Sequence, residues 1–471
     1  MNSALADLET QVRNDLARIA HPNAPWLEPK PGPDGRGALD VLIIGAGQSG
    51  LAIGFGLLRS QVTNILIVDK AEQGHEGPWL SYARMPTLRS PKHFTGPDLD
   101  IPSLTYQSWH ESLFGKQHWQ DLDRIPRGHW ADYLLWFRRV IGVPVRNGCE
   151  LTEIAPAANG LLAATVESAD GVEVLHARKI VLATGQEGMG RWMIPAPLIH
   201  LPASLCASAA DDIDFEALRG RRVAVIGAGA SAFDNAATAL ESGAAEVHLF
   251  CRRTELQLIQ PYHWLTFRGF LRHLSDLDDA WRWRFMRAIL DMREGFPQAT
   301  YDRCARHAHF RLHEGAPIES AQQVGNTVEL RTPGQSVTAD FVICGTGIDM
   351  DFASRRELRG FFGNIATWAD RYQPPPDEQS VRLGRFPYLA DDYALTERVG
   401  GATPWIGNIH LFSIASTMSF GASGSSINAM TTAVPKLVNG LTRGLFCADI
   451  ERHWASFKAY DVRQAVVTPQ L

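Results

Sequence analysis

Cysteine is scarce in this sequence, six residues in 471, and no two of the six form a C-x-x-C or C-x-x-x-x-C pair. Such scatter excludes a disulfide-dense secreted scaffold and fits a reduced, cytoplasmic protein. Long apolar runs are missing too. The stretch after Gly50 is broken by glycines and ends at Arg59–Ser60, short of the roughly 18 consecutive apolar residues of a membrane helix. The opening, MNSALADLET, has neither a basic start nor an apolar core, so it does not read as a secretory signal. There is no basic excess: 45 Lys and Arg face 51 Asp and Glu, a net charge of −6. That balance removes the electrostatic case for nucleic acid or an anionic membrane as partner. No short repeat runs through the chain, which rules out a solenoid or propeller.

What remains is a globular composition, 45% apolar and 20% charged, at a length that favours two or three domains. Two stretches stand out. VLIIGAGQSG, at Val41–Gly50, and RRVAVIGAGASA, at Arg221–Ala232, each read as strand, glycine-rich turn and helix start. In the first, Gly45 makes the tight turn, Gly47 admits a diphosphate against the backbone, and Gly50 lets helix and strand pack closely. Gln48 and Ser49 open the helix, whose free N–H groups attract phosphate. The next strand ends in IVDK, placing Asp69, with Lys70 beside it, where an acid reads a free ribose 2′-hydroxyl. FAD or NAD fits that position. In the second, Gly227 and Gly229 repeat the turn, Ala230 and Ser231 open the helix, and Ala232 takes the third small position. The strand that follows ends in LFCRR, so Arg252 and Arg253 stand where the first unit has its acid. Guanidinium groups pair well with phosphate, and the second unit reads as an NADPH site. Solvated arginines beside a turn without ligand are the plainer alternative. Two turns that bind different dinucleotides suggest a resident flavin and a visiting nicotinamide.

The expected fold is α/β, with two Rossmann-like dinucleotide-binding domains (FAD and NADPH), the second inserted in the first. Residues 1–38 form an N-terminal helix and linker. Leu5, Leu8, Val12, Leu16 and Ile19 share one face of that helix, which docks on the body or serves a homodimer. Residues 39–186 are the first part of the FAD domain, and 187–335 are the NADPH domain with a helical insert at 256–315. Residues 336–471 return to the FAD domain and end in helices. Within the insert, Asp279 is expected to cap a helix in which Trp281, Phe285, Ile289 and Met292 share a face, with Gly295 as its stop. Its Arg282, Arg284 and Arg287 read as a solvated face rather than a nucleic-acid surface. CARHAHFRLH, Cys304–His313, matches no standard zinc spacing, so no metal is expected.

GAGQSG, LATG at Leu182–Gly185, GAGASA and CGTGID at Cys344–Asp349 together resemble the two-dinucleotide-binding-domain flavoproteins across residues 39–440. Without a redox cysteine pair, the disulfide-reductase branch fits poorly. GPW at Gly77–Trp79 and YARMPTLRSPKHFTGPDLDIP at Tyr82–Pro102 are similar to class B flavoprotein monooxygenases, the flavin-containing, Baeyer–Villiger and N-hydroxylating enzymes. The chain departs from that pattern twice. Leu201–Phe215 lacks the F-x-G-x-x-x-H signature, and Leu88 stands where the family has an asparagine beside the flavin.

The resemblance implies that NADPH reduces FAD, and that reduced FAD with oxygen forms a C4a-(hydro)peroxyflavin. That species would oxygenate a small organic substrate at nitrogen, sulfur or a carbonyl-adjacent carbon. A flavin reductase or oxidase that does not oxygenate its substrate is the alternative. No catalytic residue is named. Trp79, Arg89 and Lys92 fall in the segments expected near the flavin, with Arg89 and Lys92 as anchors for NADPH phosphate or a substrate carboxylate, or as ordinary surface charge. Thr346, Gly347 and Asp349 of CGTGID are implied on the cofactor side of the return crossing. Ser425, Ser426 and Asn428 mark a helix start facing the flavin, or a plain helix cap.

Overall fold

The computed structural model describes residues 3–188, 190–424 and 426–467. Val41–Ile44 are four consecutive apolar residues, each 8% exposed or less. Such a run suits a parallel strand covered on both faces. Strand Gly37–Ile44 accordingly lies between Ile65–Val68 and Gly171–Gly185, parallel to both. Val145–Arg146 extends this sheet beyond Ile65–Val68, and Ile409–Ser413 pairs in parallel with the far side of Gly171–Gly185. The first half of the long strand Gly171–Gly185 also forms an antiparallel meander with Leu162–Ser168 and Glu150–Pro156.

The second sheet is parallel throughout, in the order Phe310–His313, Glu246–Phe250, Arg222–Ile226, Phe341–Cys344, Cys206–Ser208. The alanine-rich helix Ala230–Glu241 packs on it, burying Ala232, Phe233, Ala236 and Ala237. A three-stranded antiparallel sheet, Ser320–Val324, Thr327–Thr332 and Gln335–Ala339, adjoins it. The chain crosses between domains at two strands that pair with each other, Gly190–Trp192 and Ile348–Met350.

Several expectations need correction. The boundary at 335/336 falls too early. Gln335–Ala339 closes the small sheet, whereas Phe341–Cys344 pairs with Arg222–Ile226 in the second sheet. The chain therefore leaves the second domain only after Cys344. The helical insert likewise ends before 315, because Phe310–His313 is a strand of that sheet. The insert's long helix is Asp279–Met292, capped by Asp278, whose side chain accepts from the Trp281 amide, rather than by Asp279. It ends at Met292, before Gly295, and buries Trp283, Met286 and Ile289, while Trp281 is half exposed. Of the expected face, Ile289 is buried and Phe285 packs against the core, whereas Trp281 and Met292 are exposed.

The N-terminal helix, Ser3–Arg18, docks on the body. Val12 is fully buried, and Glu9 accepts from Arg139 at 2.7 Å. The tryptophan-rich excursion folds around helix Arg127–Ile141, with Trp109, Trp119, Trp130, Tyr133 and Trp136 buried together.

Candidate functional site

Each domain presents a glycine turn at the carboxyl edge of its parallel sheet, the place where open α/β sheets bind ligands. In the first turn Gly45 has φ +105°, and a Cβ there would lie 2.5 Å from the Ala183 carbonyl oxygen. A Cβ at Gly50 would lie 1.8 Å from the Gly45 carbonyl oxygen, so only glycine lets the helix start this close. The space around Gly47 is open. Helix Gln48–Arg59 begins there without a side-chain cap, leaving its first N–H groups for an anion. The Asp69 carboxylate closes the turn, accepting from the amides of Ala46 at 2.7 Å and Ala71 at 2.8 Å. Burial raises its pKa, against the lowering effect of these two amides. Each carboxylate oxygen still has a lone pair free for a ribose hydroxyl.

Trp79 lines a recess with Ala46, Gly47, Leu51 and Glu76 and meets Trp130 edge-on at 6.2 Å. Trp130 in turn donates to the Gln48 side chain at 3.3 Å. Ser49 is buried behind the turn. Lys70 is exposed and pairs with Glu187 at 2.9 Å. One polar atom here has no hydrogen-bond partner among the described residues: the buried hydroxyl of Thr184, at the end of the neighbouring strand. An orphaned hydroxyl beside an uncapped helix and an open glycine cradle suits a polar cofactor.

The second turn repeats the geometry with one exchange. Gly227 has φ +118°, and its Cβ would lie 2.3 Å from the Gly345 carbonyl oxygen. Gly229 opens on free space, and helix Ala230–Glu241 also starts without a side-chain cap. Ala230 is buried in the first turn of this helix, while Ser231 is exposed. Ala232 replaces the third glycine, and the neighbouring strand compensates: a Cβ on Gly345 would sit 2.7 Å from that of Ala232.

Beyond the next strand, Arg252 is exposed and has no ion-pair partner among the described residues. Arg253 is engaged differently, donating to the Asp291 carbonyl at 2.9 Å and the Met292 carbonyl at 3.3 Å, at the end of the insert's long helix. Arg293, next in the chain, is held in the left-handed region at φ +69°. Desolvation, followed by the charges of Arg382, Arg252 and Arg253, lowers its pKa against the opposing charge of Asp291, so these cations share one neighbourhood. Sequence reasoning missed Arg293, because nothing in the spacing of a helical insert announces that its end returns to the glycine turn.

Other expected residues have different work. Arg89 spans the domain seam, pairing at 2.8 Å with Asp234 of the second glycine helix. Asp234 is 2% exposed and also pairs with Arg303 at 3.1 Å. The Lys92 ammonium closes the end of helix Lys116–Asp121, donating to the carbonyls of Trp119 at 2.6 Å, Gln120 at 3.2 Å and Leu122. Neither side chain is free to hold a phosphate as it stands. Thr346, Gly347 and Asp349 build the crossing. The Thr346 hydroxyl donates to the Met193 carbonyl, the Gly347 carbonyl accepts from the Met193 amide at 2.9 Å, and Asp349 stands opposite Arg191. Leu88 is buried, its amide bonded to the Ile125 carbonyl. Ser425 lies outside the described residues. Ser426 donates to the Asn428 side chain, and the helix expected there starts at Met430.

Two glycine cradles at facing sheet edges, joined by a paired crossing, define a two-dinucleotide-domain oxidoreductase. The chain matches the pyridine nucleotide-disulphide oxidoreductase family over residues 42–268. It is 37% identical over 472 residues to an FAD-dependent urate hydroxylase of Xanthomonas campestris pv. campestris, covering 98% of both chains. Two solved folds are similar to it. One is the ornithine N-hydroxylase of Kutzneria sp. 744 (TM-score 0.66, 16% identity, 86% of this chain and 99% of that one). The other is the L-lysine 6-monooxygenase of Pseudomonas syringae (TM-score 0.64, 20% identity, 86% of this chain and 99% of that one). The chain belongs to the class B flavoprotein monooxygenases and is an oxygenating flavoenzyme. The two cysteine sulfurs that do approach each other, Cys206 and Cys344 at 3.8 Å, are buried within the second sheet, away from the place a disulfide-reducing flavoprotein would need them.

Proposed function

We propose that the first cradle holds FAD, the second holds NADPH, and the enzyme hydroxylates urate or a closely related oxidised purine. The observation that carries the substrate is the 37% identity to a urate hydroxylase over 98% of both chains, which takes in the segments between the nucleotide turns as well as the turns themselves. When bound, FAD supplies the ring that accepts electrons from NADPH and delivers them to oxygen.

The protein contributes position and shelter. The uncapped helix starts at Gly47 and Gly229 attract the two diphosphates. Asp69 orients the adenosine ribose of FAD. Arg252, with Arg293 behind it, meets the 2′-phosphate that distinguishes NADPH from NADH. The Arg89–Asp234 pair ties the first domain to the second glycine helix and limits water at the seam, where a reactive oxygen species must survive. The six cysteines are unpaired, which suits work in the reducing cytoplasm. No helix of the described residues is long and apolar enough to cross a membrane.

The test follows urate absorbance, NADPH oxidation, oxygen uptake and peroxide release in parallel with the FAD-loaded enzyme. The proposal expects urate to accelerate NADPH oxidation and to disappear in step with it, with little peroxide. Urate that survives unchanged while NADPH is oxidised at its basal rate would overturn the substrate assignment.

A further inference from the structure

Arg84 and Arg127 are two cations in search of an anion. Both are partly buried, and neither makes an ion pair among the described residues, although the chain forms many others. Arg84 uses one terminal nitrogen on the Ser81 carbonyl and the other on the Asp211 carbonyl at 3.2 Å, and its Nε is buried without a partner. Its guanidinium lies over the Phe215 ring at 5.2 Å. Arg127 donates to the Ala83 carbonyl, which binds the two arginine-bearing segments together. Desolvation lowers the pKa of both, and the charge of Arg127 lowers that of Arg84 further, while the charges of Asp212 and Asp234 act in the other direction on Arg84 and Arg127 without forming an ion pair with either. Partly buried like charges that no direct ion pair neutralises are costly, and an anionic ligand between them would offset that cost.

The location says which anion. Arg127 is the first residue of helix Arg127–Ile141, which starts at Pro126 without a side-chain cap. The Arg127 amide is taken by the Pro86 carbonyl, but the next N–H groups of this start have no bond outside the helix among the described residues. Asp211 and Phe215, which Arg84 touches, follow strand Cys206–Ser208, so they lie at the carboxyl edge of the second sheet. Ser208 there is in register with Cys344, which is in register with Ile226, the residue before the second glycine turn. Asp234, on the helix that leaves that turn, is close enough for its charge to act on Arg127, but it is already shared by Arg89 and Arg303.

We propose that Arg84 and Arg127, reaching across from the first domain, hold the nicotinamide-side phosphate of NADPH, opposite the second glycine helix. This rests on reading the second turn as the NADPH site. The dinucleotide thus becomes the counter-ion of the seam and draws the two domains together around it. Fork-shaped guanidinium groups suit a phosphate better than point charges do.

The experiment uses the full-length FAD-loaded protein and titrates NADP+ and 2′,5′-ADP by calorimetry against wild type, R84Q, R127Q, the double variant and R127K. 2′,5′-ADP keeps the 2′-phosphate but lacks the nicotinamide-side phosphate. We expect NADP+ to bind about tenfold more weakly for each glutamine substitution, with 2′,5′-ADP within about twofold of wild type and R127K intermediate. Four results overturn the proposal. They are unchanged NADP+ affinity, equal loss of both nucleotides with a lowered melting temperature, loss of FAD with NADP+ binding retained, and loss of urate binding with NADP+ binding retained. These mark, in order, an idle pair, a structural brace, a flavin anchor and a substrate anchor. If wild type binds neither NADP+ nor 2′,5′-ADP, the NADPH reading itself falls.

Discussion

Replacing Arg252 with alanine tests the nicotinamide assignment most directly. Arg252 is exposed beyond strand Glu246–Phe250 and has no ion-pair partner among the described residues, so its removal breaks no ion pair described in the fold. Its neighbour Arg253 is occupied with the carbonyls of Asp291 and Met292 and cannot replace it without releasing a helix end. A hydrogen bond to a charged group contributes about 1.5–3 kcal/mol. Exposure and salt favour the lower end for Arg252. At about 1.4 kcal/mol per factor of ten, kcat/KM for NADPH should fall about 10- to 30-fold in R252A. NADH lacks the 2′-phosphate, so its kcat/KM should stay within about twofold. Arg293→Ala should act in the same direction, more weakly. Steady-state rates with both nucleotides, at low and high ionic strength, decide the matter, and the NADPH penalty should shrink as salt rises. An equal loss with NADH and NADPH would refute the reasoning, as would an NADPH rate unmoved in both variants.

Gly227→Ala should abolish measurable NADP+ binding while FAD content holds, because the new Cβ meets the Gly345 carbonyl oxygen at 2.3 Å in a backbone with φ +118°; wild-type NADP+ affinity would contradict the close approach. Lys92→Met should cost about 1–3 kcal/mol of stability by uncapping helix Lys116–Asp121, yet leave NADP+ affinity unchanged. A selective loss of NADP+ binding would return Lys92 to the phosphate site. Acid should destabilise the protein through His410. Its Nδ1 donates to the Asp392 carbonyl at 2.9 Å, its Nε2 is buried without a partner, and burial followed by the Lys179 charge lowers its pKa from 6.5 to about 4. The unfolded chain therefore takes up a proton that the folded chain refuses. The stability this site contributes is complete above pH 6.5 and is lost progressively down to about pH 4, about 3 kcal/mol in all. His410→Gln should flatten the fall in melting temperature between pH 7 and pH 5, and an unchanged slope would assign the acid sensitivity elsewhere.

Local rules reach far in this chain. The turns at Gly45 and Gly227 could be read from the sequence because their requirements are local: positive φ, missing Cβ atoms and a following helix start all lie within six residues. The acid and arginine that follow each turn are legible for a similar reason, since one strand–helix–strand unit has nearly constant length. The side chains of Arg89 and Lys92 were not legible. Both are basic residues in the loop expected near the flavin, and nothing nearby says that one reaches a buried aspartate 145 positions away and the other closes a helix.

Sequence by itself thus determined the two glycine turns and the helix starts that follow them, because backbone sterics and helix-end electrostatics act over a few residues. Only the tertiary structure decided where the second domain ends, which residues of the insert helix are buried, and which partners Arg89, Lys92 and Arg253 take. Those outcomes depend on strand pairing and desolvation between segments tens to hundreds of residues apart, and spacing along the chain carries no record of them.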